Sequence, residues 1–215
     1  MAIQVEDRTA KTSKQVMGPP NPHGYRWSMI TLHHDGSAGT SDQAEEGTIA
    51  YLSQPHPNPV SCHKYFRRRK GIVKIVPENW ISWCNGYSRH KGVDDTNSRS
   101  LTYEIANRGS RSKPEPYTDL QYEAVARSVA YDCARYHIAD SDVVSHRRVR
   151  NEWIKAHPEE AKKKRYTLDM KYDPHAWRWE RMWALVDELR AAWPPEWAAS
   201  GVPLWFIEDE RQVAT

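Results

Sequence analysis

Short apolar runs alternate with amphipathic helices along this chain, and that alternation limits the fold more than any other feature. "RWSMITLHH" (26–34) and "SLTYEIAN" (100–107) read as buried strands. "YTDLQYEAVARSVAYDCARYHI" (117–138) is the clearest helix. Thr118 and Gln121 have capping-box spacing at its start, and Tyr122, Val125, Val129, Cys133 and Tyr136 form one apolar stripe. Cys133 is therefore a packing residue. "AEEGTIAYLSQ" (44–54) has helical spacing at Ala44, Ile49 and Leu52, and "SCHKYFRRRKGIVKIVP" (61–77) reads as a hairpin turning at Lys70-Gly71. The stretch 79–100 is loop-rich. "DSDVVSH" (140–146) is a short strand running into His146, and a last helix stops at Pro194-Pro195. The order strand, helix, hairpin, strand, helix, strand, helix predicts an α/β fold, a central mixed β-sheet flanked by helices. Residues 1–25 read as an irregular arm ending in the breakers "GPPNPHG", residues 26–195 as one domain, and 196–215 as a tail without a recognisable second domain.

Ten tryptophans and eleven tyrosines can build much of the core, although there are only two phenylalanines. No run approaches the ~20 apolar residues of a membrane span. Cys62, Cys84 and Cys133 are unevenly spaced and lack CxxC pairs, which excludes a cysteine-rich zinc knuckle and points to a reducing compartment. The first fifteen residues mix acids and bases with no apolar segment, unlike a secretory signal peptide. The net charge of +3 is unevenly placed: residues 148–165 hold seven Lys/Arg against three Glu, a local +4 that leaves −1 elsewhere. That segment could face a polyanion or be a solvated helix face.

Few residues have the chemistry and position for a site. His33 and His34 end the first strand, just before the turn at Asp35-Gly36. The pair could be hydrogen-bonded core, a solvated loop edge or a metal-holding end. Glu104 lies within an otherwise apolar strand, where a carboxylate is costly unless paired, hydrogen-bonded or near a cation. His146 closes "DVVSH", and Asp173 sits in "KYDPH" ahead of a tryptophan-rich helix. Strand ends gather at one edge of a sheet. Two imidazoles and a carboxylate converging there would leave a fourth zinc position open for water.

"ITLHHDGSAG", "VSCHKYFRRRKGIVKIVP", "SWCNG", "SRSLTYEIANRG", "YTDLQYEAVARSVA", "VVSHRRV" and "MKYDPHAW" follow one another in this order. Together they resemble the type 2 N-acetylmuramoyl-L-alanine amidases, zinc enzymes related to peptidoglycan recognition proteins and common among phage endolysins. The resemblance runs from about Trp27 to Trp193. It implies one zinc ion held by His33, His146 and Asp173, with Glu104 as the proton carrier and Lys171 as the catalytic lysine of the K-x-D-P motif. It also implies the substrate, the amide between the lactyl group of N-acetylmuramic acid and L-alanine of the stem peptide. Trp83 and Tyr87 are candidates for the substrate-binding wall. His34, by alternation, should face away from His33 and be structural, and His63 reads as a buried sheet residue.

The chain departs from the family pattern in three places, one of them Cys62 and His63 of "SCHKYF" beside the expected cleft. Trp83-Cys84-Asn85-Gly86 stands where the family often has Trp-His-Ala-Gly, and the basic segment lengthens the interval from His146 to Asp173. The basic segment is a candidate contact for anionic wall polymers. The expected protein is a monomer with bacterial peptidoglycan as partner, no membrane span and no nucleic acid. It would be made in the host cytoplasm and act on the wall after release; a cytosolic recycling amidase is the alternative. A non-catalytic peptidoglycan-binding module is the main rival function, and a basic zinc nuclease, whose DNA retention would fall steeply with salt, is the second.

Overall fold

The computed structural model describes residues 3–22, 24, 26–36, 39, 41–108 and 115–194. The tail expected over 196–215 and the stop at Pro195 lie outside them. Along the chain come β1 (Gln4–Asp7), β2 (Met17–Pro20), β3 (Met29–His34), α1 (Asp42–Ser53), β4 (Lys64–Phe66), β5 (Gly71–Lys74) and β6 (Trp80–Ser82). Then follow β7 (Arg89–His90), β8 (Val93–Asp94), β9 (Ser100–Ile105), α2 (Asp119–Tyr136), β10 (Val143–Ser145), α3 (His146–Ala156), α4 (Pro158–Lys163) and α5 (Trp179–Ala191). Six strands make one sheet in the order β1-β5-β4-β9-β3-β10, with only the β4–β5 hairpin antiparallel. The expected mixed sheet flanked by helices is the fold observed.

The two central strands divide their side chains by face. Ile30 and Leu32 of β3 and Leu101, Tyr103 and Ile105 of β9 pack under α2 and α5 against Val125, Val129, Cys133, Met182 and Val186. Each fully buried aliphatic side chain there contributes roughly 1.5–3 kcal/mol. Thr31 and His33 alternate to the other face with Thr102 and Glu104, where α1 packs Ile49 and Leu52 on Tyr65, Val73 and Ile75. His33 and Glu104 are register partners across β3 and β9, so they lie side by side on that face. The α2 capping box is formed as the sequence indicates, with the Thr118 hydroxyl accepting from the Gln121 backbone N–H. Gln121 then donates to Ala106 O at 2.7 Å, tying the helix start to the end of β9.

The N-terminal arm is not irregular. β1 adds in parallel to the edge of the main sheet beside β5, and β2 pairs with β6 in a separate ribbon. Gly71 permits the first pairing: it sits at φ +101°, and a Cβ there would meet Gln4 O at 2.3 Å. In β2, Gly18, Pro19 and Pro20 are tolerated because a two-stranded ribbon with an irregular register asks for few ladder donors. His146 is likewise not the last strand residue. Ser145 caps α3 through its hydroxyl, and His146 opens that helix.

One buried ion pair braces the sheet against α2. Lys64 Nζ lies 2.7 Å from Asp132 Oδ2, both side chains are buried, and the Tyr103 hydroxyl donates to the same carboxylate. Lys64→Met would keep the aliphatic volume and leave Asp132 without its cation. The expected cost is about 3–5 kcal/mol, a fall in melting temperature on the order of 10 °C for a chain of this size. Calorimetry reads it directly, and a loss below about 1 kcal/mol would show the pair to be dispensable.

Candidate metal centre and active site

Three remote segments bring His33, His146 and Asp173 together. β3 delivers His33 at its end, the first residue of α3 delivers His146, and the loop before α5 delivers Asp173, whose carbonyl accepts from Arg147 N at 3.2 Å. All three are buried. His33 Nδ1 and His146 Nδ1 are 3.0 Å apart, His146 Nδ1 is 3.0 Å from Asp173 Oδ2, and His33 Nδ1 is 3.3 Å from the same oxygen. Zinc bonds of the usual length in tetrahedral geometry put neighbouring ligand atoms about 3.3 Å apart, so the triangle has the right size.

The donor chemistry fits a cation as well. His33 Nε2 donates to Asn85 Oδ1 at 2.8 Å, and His146 Nε2 donates to Asn85 O at 3.2 Å. Each ring thus carries a proton on Nε2 and turns its Nδ1 toward the other ring and toward a carboxylate oxygen. Burial alone would lower the His33 pKa, but the Asp173 hydrogen bond and the Glu104 charge outweigh it and raise it. With both rings neutral, the form that binds a metal, three lone pairs face one another and a cation among them is stabilised. Burial drives the His146 pKa down to about 4, which keeps that ring neutral. Burial alone would raise the Asp173 pKa, but its contacts with His146 and His33 outweigh it and hold the group well below the usual carboxylate range.

Glu104 lies next to this set. Burial pushes its pKa up to about 7, His33 pulls the other way, and the Asp173 and Asp35 charges add to the rise. Such a carboxyl is poised to take and give a proton near neutrality. Cys84 Sγ donates to Glu104 Oε2 at 3.2 Å. His33, Cys84 and Glu104 form a second set of possible ligands within 4.8 Å of one another. It is the poorer one: burial raises the Cys84 pKa well above its ordinary value, and only the thiolate is a good ligand.

These groups line a cleft of about 440 Å³ on the α1 face of the sheet. Lys171 is exposed and also lines it, so the cleft gathers His33, Glu104, His146, Lys171 and Asp173. Trp83 and Tyr87 are not among its lining residues. Tyr87 packs instead on Trp153 at 5.0 Å, with Lys164 Nζ 4.2 Å above its ring. The aromatic walls are Tyr51, stacked on His56, and Tyr172. His34 faces away from His33 as expected, accepts from His175 N at 3.3 Å and reaches the cleft rim. His63 is buried between Thr102 and Trp80 O, as a sheet residue. The basic segment folds as α3 and α4 around a small core of Trp153, Ile154 and Ala161. Ion pairs engage Arg148 with Glu152 and Lys164 with Glu160, whereas Lys155, Lys162, Lys163 and Arg165 point to solvent.

Nothing in the periodicity marks Asn85, Tyr51 or Tyr172 as site residues. The signal for Asn85 was its place in the stretch that departs from the family pattern.

A mixed sheet with two imidazoles, a carboxylate and a buried glutamic acid, brought into one cleft by a strand end, a helix start, a loop and a central strand, defines an α/β protein with a candidate single-metal hydrolytic site. The chain belongs to the N-acetylmuramoyl-L-alanine amidase family (Amidase_2), whose model matches residues 23–176. Over 80 residues it is 31% identical to the N-acetylmuramoyl-L-alanine amidase AmiD of Escherichia coli, a match covering 35% of this chain and 29% of that protein. The chain thus spans less than a third of this curated relative's length. Among solved structures, an AmpD derivative superposes with a TM-score of 0.61 at 22% identity, over 86% of this chain and 96% of that one. AmiD in complex with the substrate anhydro-N-acetylmuramic acid-L-Ala-D-gamma-Glu-L-Lys gives 0.57 at 21%, over 74% and 57%. A mutant endolysin from Bacillus subtilis gives 0.50 at 20%, over 86% and 99%. These likenesses are of fold. No helix among the described residues is long and apolar enough to cross a membrane.

Proposed function

We propose that this chain hydrolyses the amide bond between N-acetylmuramic acid and L-alanine of peptidoglycan, with one zinc ion held by His33, His146 and Asp173. The observation that carries the reading is the triangle of three donor atoms 3.0–3.3 Å apart on the cleft floor, with Glu104 beside it. When bound there, zinc lowers the pKa of a water molecule to about 7 and polarises the scissile carbonyl. Glu104 accepts the proton of the attacking water and returns it to the departing amine nitrogen, which is a poor leaving group unless protonated. Lys171 places a positive charge at the cleft mouth for the oxygen that becomes an anion. Tyr51 and Tyr172 offer flat faces to the sugar and peptide.

Lys171→Ala is expected to lower kcat by about 10²–10³-fold and to leave zinc content unchanged. Steady-state hydrolysis alongside metal analysis checks both halves. The whole reading is tested by incubating the protein with purified cell walls and measuring new alanine amino termini. Release that a chelator stops and zinc restores supports the amidase; retention on walls without release is the behaviour of a binding module. The resemblance to phage endolysins supports a lytic role, which requires activity on intact walls. A recycling enzyme would cleave soluble muropeptides and spare the wall.

The outward Lys155, Lys162, Lys163 and Arg165 are the contact we assign to anionic wall polymers. Replacing these four by Gln should weaken sedimentation with walls and spare hydrolysis of soluble muropeptides; equal losses in both assays would count against the assignment.

A further inference from the structure

We propose that Asn85 is the positioning residue that fixes both histidine ligands at once, one through its side chain and the other through its backbone. The inference rests on the zinc reading above and concerns a residue standing where the family pattern has alanine. A histidine that binds a metal through Nδ1 must carry its proton on Nε2, and the acceptor opposite Nε2 sets both that tautomer and the ring's orientation. Here the two acceptors belong to one residue: Oδ1 takes the His33 proton at 2.8 Å and the carbonyl oxygen takes the His146 proton at 3.2 Å.

Asn85 is itself held for this task. It is wholly buried, and its backbone N–H donates to Asn97 Oδ1 at 2.9 Å, an oxygen that also accepts from Cys84 N at 3.2 Å. Its carbonyl accepts a second hydrogen bond, from Arg150 Nη2 of α3 at 3.3 Å. The neighbouring Gly86 makes room for that guanidinium: a Cβ there would lie 2.8 Å from Arg150 Nη2, and its φ is +56°. The Asn85 side-chain nitrogen has no partner among the described residues, so the amide is oriented by its oxygen alone. The lengthened segment after His146 is thereby tied to the metal site through Arg150 and Asn85.

Because the two acceptors are of different kinds, substitution separates them. Asn85→Leu removes the oxygen facing His33 and keeps the carbonyl facing His146; Asn85→Asp keeps both. On the zinc-loaded full chain, competition with a chromogenic chelator should show Asn85→Leu binding zinc about 10–100-fold more weakly than wild type and Asn85→Asp at least as tightly as wild type. In proton–nitrogen spectra of the zinc-loaded wild type, the Nε2–H of both His33 and His146 should exchange slowly. In Asn85→Leu only the His33 signal should be lost. An Asn85→Leu affinity within about twofold of wild type would overturn the inference, as would a wild-type His33 with no slowly exchanging Nε2–H. The wild-type spectrum decides the matter even if Asn85→Leu fails to fold. A wild-type chain that takes up no zinc would instead sink the reading beneath it.

Discussion

Asp173→Ala is expected to leave the chain unable to hold the proposed zinc ion and to abolish the proposed amidase turnover while leaving the fold intact. Asp173 supplies the single negative charge of the ligand triangle, 3.0 Å from one imidazole nitrogen and 3.3 Å from the other. Without it the ion faces two neutral rings, and the loss should exceed the ~10–100-fold typical of changes one shell further out. Metal content should fall from about one ion per chain to a trace. The fold should survive because Asp173 lies in the loop before α5, outside the apolar clusters that hold the sheet to its helices. Metal analysis, a melting curve and hydrolysis on one preparation separate these effects. Full metal content in Asp173→Ala would refute the ligand assignment.

Glu104→Gln tests the other half of the site. The substitution keeps shape and hydrogen-bonding capacity and removes only the ability to carry a proton. We expect kcat to fall by about 10²–10⁴-fold, with KM near its original value and zinc content unchanged. Stability should hold or rise, because a buried carboxyl whose pKa burial has pushed up to about 7 is replaced by a neutral amide. The pattern of lost turnover with retained metal and retained fold is what a group acting mainly in the transition state produces. A loss of less than about tenfold would remove Glu104 from the chemistry.

The parts of this molecule legible in its sequence are those where one physical rule acts alone. The apolar periodicity of 26–34, 100–107 and 117–138 gave two central strands and their covering helix, because those segments bury a whole face. Alternation alone also put His34 on the face opposite His33; that Glu104 shares the His33 face follows only from the register of β3 with β9. Where partners decide, local rules failed. β1 is mostly exposed and polar, and it is a strand only because β5 offers an edge. The prolines of β2 argue against a strand that the ribbon with β6 nonetheless makes. Trp83 and Tyr87 had the right chemistry for a cleft wall, but Tyr87 is drawn away by Trp153 of the lengthened segment. The walls come from Tyr51 on α1 and Tyr172 beside Lys171. Asn85 was marked only by its place in a stretch that departs from the family pattern, and its role stayed hidden because it lies in two hydrogen bonds to residues 52 and 61 positions away.

The most direct test of the central claim is X-ray absorption at the zinc edge on the loaded full chain. Two imidazole nitrogens and oxygen, all at about 2.0–2.2 Å with no sulfur, are the expected coordination. A sulfur neighbour at about 2.3 Å would put Cys84 on the metal and contradict the assignment of His33, His146 and Asp173 as its ligands.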